Sequence, residues 1–319
     1  MADDSLVIGI DVGGTKIAGG VVDVGNGSVR SRLERPTGAA RGGDRVLDDV
    51  VEIASRLADS LRHDSTPPHR LGVAVCELVD PSGAITSAQT VDWRDLDVVG
   101  SLAGVGSAAI ASDVRAGAAA EARFGAGRGV DPFVYVSVGT GVSSTLVLGG
   151  EPYAGRHGSA LVAASGTFST TCPHCGELVE VVPEDVASGL GMVRRMRARR
   201  ADASFDRAEE VLAAADAGDD GAREIVDEGG RMLGSIVAGL INVLDPEAVV
   251  IGGGLGLAAG RYRERFESSL AEHIWAPTSR STPILDAALG ADAVLIGAAL
   301  AADASAIPHA EPAAGTELS

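Results

Sequence analysis

The chain has 319 residues, of which 45% are hydrophobic, 22% charged and 3% aromatic. That is too long for one small core and fits an ordinary soluble globular protein of two domains of ~150 residues each. A net charge of −18 with no basic stretch to offset it argues against DNA and anionic membrane as partners and reads as a solvated acidic surface. The three cysteines, Cys76, Cys172 and Cys175, do not form a secreted disulfide framework.

Taken in order, "MADDSLVIGI" has no basic or long apolar leader, and no later segment reads as a membrane span, so a cytoplasmic protein is expected. "LVIGI" and "KIAGGVVDV" predict two buried strands around the glycine turn "DVGGTK". "VLDDVVEIASRLADSL" has helical spacing, "RLGVAVCELVD" predicts a strand, and "PSGAI" a turn into a further short one. "IASDVRAGAAAEARFG" runs from a strand end into an alanine-rich helix that stops at Gly125.

The opening pattern then returns in "FVYVSVGTGVSSTLVLGG", where Gly13 aligns with Gly139 and Thr15 with Gly141. Such a repeat predicts two related α/β domains facing each other across a cleft. Residues 186–244 read as mostly helical, "EAVVIGGGLG" as a strand ending in three glycines, "AAGRYRERFESSLAEHI" and "LGADAVLIGAALAA" as helices. We expect a small N-terminal α/β domain over 1–115, completed by a C-terminal helix near 291–303, a large domain over 116–290, and a disordered polar tail over 304–319.

A single glycine pair between strands is an ordinary hairpin turn. Three glycine-rich strand ends in one chain point instead to backbone nests for phosphate oxygens, because glycine lets a bulky anion approach the main chain. Gly252-Gly253-Gly254 has neither the dinucleotide-binding spacing nor the P-loop spacing.

Together, "IGIDVGGTKIAGGVVD", "VSVGTGVSSTLVLGG", "LINVLDPEAVVIGGGLG" and "LGADAVLIGAAL" resemble the nucleotide-binding elements of the ROK family of repressors, open reading frames and kinases, over about residues 5–303. The resemblance implies two ribonuclease H-like (actin-like ATPase) domains with an interdomain cleft, ATP and Mg²⁺ as cofactors, and a homodimer. It puts Asp11 near the magnesium ion, Gly13, Gly14, Thr15 and Lys16 near the phosphates, and Gly139, Thr140 and Gly141 in a second phosphate loop. Gly253 and Gly254 would lie against the adenosine.

Read from its neighbours alone, Asp113 is a helix N-cap. The segment "SDVRAGAAAE" resembles the family signature "NDANAAALGE", whose Asp is the catalytic base, and this assigns that role to Asp113. Ser112 stands where the family carries a sugar-contacting Asn.

The acceptor side departs from the family. In "GRHGSALVAASG", Val162 replaces the Glu and Ser165 the His of the family's "GEIGH" segment, which bind the sugar near its anomeric end. "VCE" replaces "VPG", introducing Cys76 and Glu77, and Thr90 replaces a substrate-loop Asn. "EDVASG" keeps the family's acceptor ligand as Glu184; Glu77 and His157 complete the candidate acceptor set. Of the family's zinc ligands only Cys172 and Cys175 persist, with His174 between them, so no zinc is expected.

Loss of the anomeric-side ligands implies a ring without an ordinary anomeric carbon. The expected activity is an ATP-dependent kinase for a primary hydroxyl of a cyclitol (a C7-cyclitol, as in natural-product antibiotic pathways) or modified sugar. The alternatives are a glucokinase of the same family and a non-catalytic sugar sensor. A repressor is disfavoured because the first strand begins within ten residues, leaving no helix-turn-helix.

Overall fold

The computed structural model describes residues 5–61, 69–200 and 205–304. The predicted disordered tail over 304–319 lies, beyond residue 304, outside the described residues. Two compact units are present: residues 1–120 with 292–319, and residues 121–291.

The first unit opens with β1 (Leu6–Val12), β2 (Lys16–Asp23) and β3 (Ser28–Pro36), followed by α1 (Gly43–Ser60) and β4 (His69–Val75). After α2 (Val98–Leu102) and β5 (Gly106–Ser112), α3 (Asp113–Phe124) carries the chain onward. The sheet order is β3-β2-β1-β4-β5, with β1, β4 and β5 parallel. Val46, Leu47, Val50, Ile53, Ala54 and Leu57 recur at helical spacing along α1 and bury one stripe against Ile8, Ile10 and Ile17.

The second unit holds β6 (Phe133–Val138), β7 (Val142–Leu148), β8 (Glu151–Pro152), and a separate hairpin of β9 (Phe168–Thr171) and β10 (Leu178–Val181). Then come α4 (Pro183–Ala187), α5 (Gly189–Arg199), α6 (Ala208–Asp216), α7 (Asp220–Leu244), β11 (Ala248–Gly252), α8 (Arg261–His273) and β12 (Ile284–Asp286). Its main sheet has the order β12-β11-β6-β7-β8. Read from the other edge, this repeats the first sheet strand for strand, so the sequence repeat at the two glycine turns extends to topology. A last helix, α9 (Ala293–Ala304), returns to the first unit and packs on β1, β4 and β5.

Two expectations change. The strand predicted over "RLGVAVCELVD" ends at Val75, because Glu77 is drawn into a loop at 87–91. The short strand expected after "PSGAI" is reduced to one bridge between Val79 and Ile85. β3 went unpredicted because its alternation is polar: an edge strand with most residues exposed carries little hydrophobic signal.

Candidate active site

In the first unit, the carboxyl ends of three parallel strands are aligned, with Val12 opposite Val75 and Val75 opposite Ser112. Ligands of open α/β sheets collect at such an edge. Here it gathers Asp11, Cys76, Glu77 and Asp113. Ser112 is buried at the end of β5. Asp113 begins α3, and its Oδ1 accepts a bond from Val114 N at 2.6 Å. The carboxylate therefore does serve its own helix start, and it remains only partly covered.

The electrostatics of this edge are unusual for acids. Burial, opposed by the Val114 amide and reinforced by the Glu77 charge, pushes Asp113 up to about 6. Burial and the charge of Asp113 push Asp11 up to about 7, against the pull of Lys16 and Arg32. Asp113 thus ionises first, and its charge holds the proton on Asp11. Burial and Asp113 push the Cys76 thiol up to about 12, so it stays neutral.

The first glycine turn closes with Gly13 N donating to Lys16 O at 3.0 Å. Thr37 fastens it from outside: Thr37 Oγ1 donates to Gly13 O at 2.6 Å, and Thr37 N to Thr15 O at 3.0 Å. Gly14, Thr15 and Lys16 are exposed, and Lys16 Nζ pairs with Glu34 at 3.0 Å. That exposed pair is weak, so the ammonium can exchange Glu34 for a phosphate at little cost.

The second unit has the corresponding turn. Gly139 N donates to Gly141 O at 2.9 Å, while Gly139 O and Thr140 O accept from Gly189 N (2.9 Å) and Leu190 N (3.2 Å) at the start of α5. Glu184 Oε1 accepts from Val142 N at 3.0 Å, and Glu184 Oε2 accepts from Ser165 Oγ at 2.9 Å. Nearby, Gly253 holds φ of 81°, and a Cβ there would overlap Val138 O, so only glycine fits. The outer sides of Gly139 and Gly254 are open, with no atom within 4 Å of where a Cβ would stand. These turns fit a polyphosphate nucleotide: they are open, and their backbone can approach an anion.

His157 is exposed on the loop after β8. Val162 is 44% exposed and offers that region no polar group. Glu77, expected as an acceptor ligand, is 3% exposed, and its carboxylate faces the loop 87–91.

Cys172 and Cys175 sit at the tip of the β9–β10 hairpin, where Cys172 N donates to Glu177 O at 2.8 Å. Among the described residues, no three His, Cys, Asp or Glu side chains gather as a metal site. Two thiols fall short of the four ligands of structural zinc, so the family's zinc does not fit this loop.

Sequence reasoning missed Thr37 and the role of Glu121. The Glu121 side chain is fully buried, with Oε2 accepting from Ala126 N (2.8 Å) and Ala288 N (3.0 Å), and Oε1 from Leu289 N (2.8 Å). Its partners are backbone groups up to 168 residues away, and no local pattern announces them.

Two units of repeated β-sheet topology, each bearing an open glycine turn, and a carboxylate pair at one strand edge define an actin-like sugar kinase. The chain belongs to the ROK family, whose match spans residues 7–305. It is similar to a glucokinase of Streptomyces coelicolor, 30% identical over 322 aligned residues covering 92% of this chain and 96% of that protein. An N-acetylmannosamine kinase of Escherichia coli O157:H7 is 29% identical, covering 92% and 97%. Among solved structures, a ROK family glucokinase from Streptomyces griseus in complex with glucose and AMPPNP aligns with a TM-score of 0.77 at 27% identity, covering 92% of this chain and 98% of that one. A ROK hexokinase from Thermus thermophilus aligns at 0.75 and 29%, covering 94% and 99%. The protein is accordingly an ATP-dependent kinase of the sugar-kinase class.

Proposed function

We propose that this kinase phosphorylates a primary hydroxyl of a cyclitol, of the C7 type, or of a modified sugar, with Asp113 as general base. The observation that carries the acceptor assignment is the bond between Ser165 and Glu184. Where a pyranose would need two polar partners near its anomeric hydroxyl, one position is the apolar Val162, and the other is a serine already donating to Glu184. An anomeric hydroxyl placed there lacks partners, at ~1–3 kcal/mol per unsatisfied group. A carbocycle without that hydroxyl avoids the cost.

In this reading, Asp113 accepts the acceptor's hydroxyl proton as the oxygen bonds to the γ-phosphorus and the bond to the β-phosphate oxygen breaks, releasing ADP. A carboxylate pushed up to about 6 is still ionised at neutral pH and is a better proton acceptor than an ordinary Asp. Gly13 to Lys16 in one unit and Gly139 to Gly141 in the other hold phosphate oxygens; Gly253 and Gly254 admit the adenosine. Asp11 would hold Mg²⁺, directly or through water, and the ion when bound supplies neutralising charge to the phosphates. Ser112 shapes the floor beside Asp113, and Glu184 touches the acceptor through its remaining lone pairs.

The test is phosphate transfer from ATP across glucose, mannose, aminosugars and C7-cyclitols. The expected kcat/KM for a C7-cyclitol exceeds that for glucose by ~100-fold or more, at tenfold per ~1.4 kcal/mol for two unpaired groups. Comparable efficiency on glucose establishes the second reading, a glucokinase with a rearranged pocket, which the likeness to glucokinases favours.

A further inference from the structure

We infer that Glu77 is a positioning residue for the acceptor: its buried carboxylate holds the loop 87–91 in place beside Asp113 and the first glycine turn. This rests on the kinase reading above and concerns a residue that replaces a glycine of the family pattern.

All of its acceptor capacity is spent on one loop. Glu77 Oε2 accepts from Ser87 Oγ and from Gln89 N at 2.9 Å; Oε1 accepts from Thr90 N at 2.6 Å and from Val91 N at 3.1 Å. Ser87 Oγ in turn accepts from Leu78 N at 2.9 Å, which closes the ring between the two segments. An ionised carboxylate offers about four lone-pair sites, and here each has a donor. A buried acid so arranged does not also bind a substrate. It fixes backbone that would otherwise be an irregular loop, since 87–91 belongs to no strand or helix.

The loop's outer side is where this matters. The Thr90 methyl stands 3.0 Å from where a Cβ on Gly14 would be, so the loop rests on the nucleotide turn. The Thr90 side chain is hydrogen-bonded with the Cys76 thiol, and Cys76 lies within the field of Asp113. Gln89 and Thr90 expose their side chains on this surface. The glycine turn itself is held separately by Thr37, so loosening 87–91 alters the acceptor's surroundings more than the nucleotide's.

The test is Glu77→Gln, an isosteric change that leaves one acceptor oxygen and points an amide NH₂ at two donors. Ser87→Ala, which removes one donor and keeps the charge, is the milder companion. Amide hydrogen exchange over 87–91 is measured on the full chain, with steady-state kinetics on glucose and on a C7-cyclitol. In Glu77→Gln, exchange at Gln89, Thr90 and Val91 is expected to rise and acceptor KM to increase about 10- to 100-fold, with KM for MgATP within about threefold of wild type. Ser87→Ala is expected to move both readouts the same way by a smaller factor. Unchanged exchange overturns the role of Glu77 in holding the loop; raised exchange with unchanged acceptor KM, or a matching rise in the MgATP KM, overturns its role in placing the acceptor. Failure of the kinase reading is seen apart from these, as absence of phosphate transfer by the wild-type chain.

Discussion

Ser165 Oγ donates to Glu184 Oε2 at 2.9 Å, while the other oxygen of the same carboxylate accepts from Val142 N at 3.0 Å. One side chain thus ties the acceptor segment to the second glycine turn. A Cβ on Gly141 would overlap Glu184 Oε1, so turn and carboxylate are packed as one piece.

Glu184→Ala should therefore damage both substrates' handling. It leaves Val142 N without its acceptor, at a cost of ~1–3 kcal/mol. Expected is a fall in kcat/KM for acceptor and for ATP alike, about 10-fold or more. Glu184→Gln retains one acceptor oxygen for Val142 and can donate to Ser165, so it should lose far less. Equal losses in the two variants, measured by initial rates, would refute the tie.

Asp113→Asn removes the proposed proton acceptor but keeps the side chain's shape. The expected loss in kcat is ~10²–10⁴-fold, with ATP affinity by calorimetry unchanged. In the wild type, kcat/KM should rise with pH through an apparent value set by the Asp113–Asp11 pair, pushed up to about 6 and about 7. A variant turning over at wild-type speed takes Asp113 out of the chemistry.

Asp11 gives a stability prediction whose sign follows from its raised value. The folded state holds its proton up to about pH 7 and the unfolded state only to about 3.8. Its contribution is therefore fully present below about pH 4 and is lost as pH rises through about 7. Asp11→Asn, which never ionises, should raise Tm at pH 8 more than at pH 5 in nucleotide-free protein. A larger gain at pH 5 would contradict the burial argument.

Restoring polar groups at the acceptor segment tests the substrate assignment from the other side. Val162→Glu with Ser165→His should raise kcat/KM on glucose at least about tenfold, by giving an anomeric hydroxyl two partners worth ~1 kcal/mol or more each. Val162 and Ser165 are both exposed, so the change should leave folding intact even though the Ser165 bond to Glu184 is lost. No gain on glucose across the double variant would show that other residues exclude it.

Much of this arrangement is legible in the residues themselves. The two glycine hairpins, the buried strands before them and the helix starting at Asp113 are local features, each written within about fifteen residues. The fate of Glu77 was not legible, because a sequence shows that a carboxylate is present and not which amides come to meet it. Four donors from 87–91 decide between ligand and scaffold. Glu121 was hidden for the same reason, its partners lying at 126, 288 and 289. Polar edge strands such as β3 are faint because alternation of charged residues marks no face as buried.

The position of α9 sets a timetable for synthesis. This helix lies so close on the first sheet that a methyl at Gly72 would overlap Ala298 O, and one at Gly9 would overlap Leu295 O. Yet the whole segment 121–291 is translated between β5 and α9. While that segment emerges, the first sheet waits with the α9 side bare, and Gly9, Gly72 and Ala74 have only part of their final cover. The second unit, continuous in the chain, can close as soon as it leaves the ribosome. A chain halted after Ala291 should accordingly bind chaperone and resist protease only over 121–291, whereas eight to twelve further residues of α9, supplied in cis, should protect 5–120 as well. The order of folding is thereby the reverse of the order of translation.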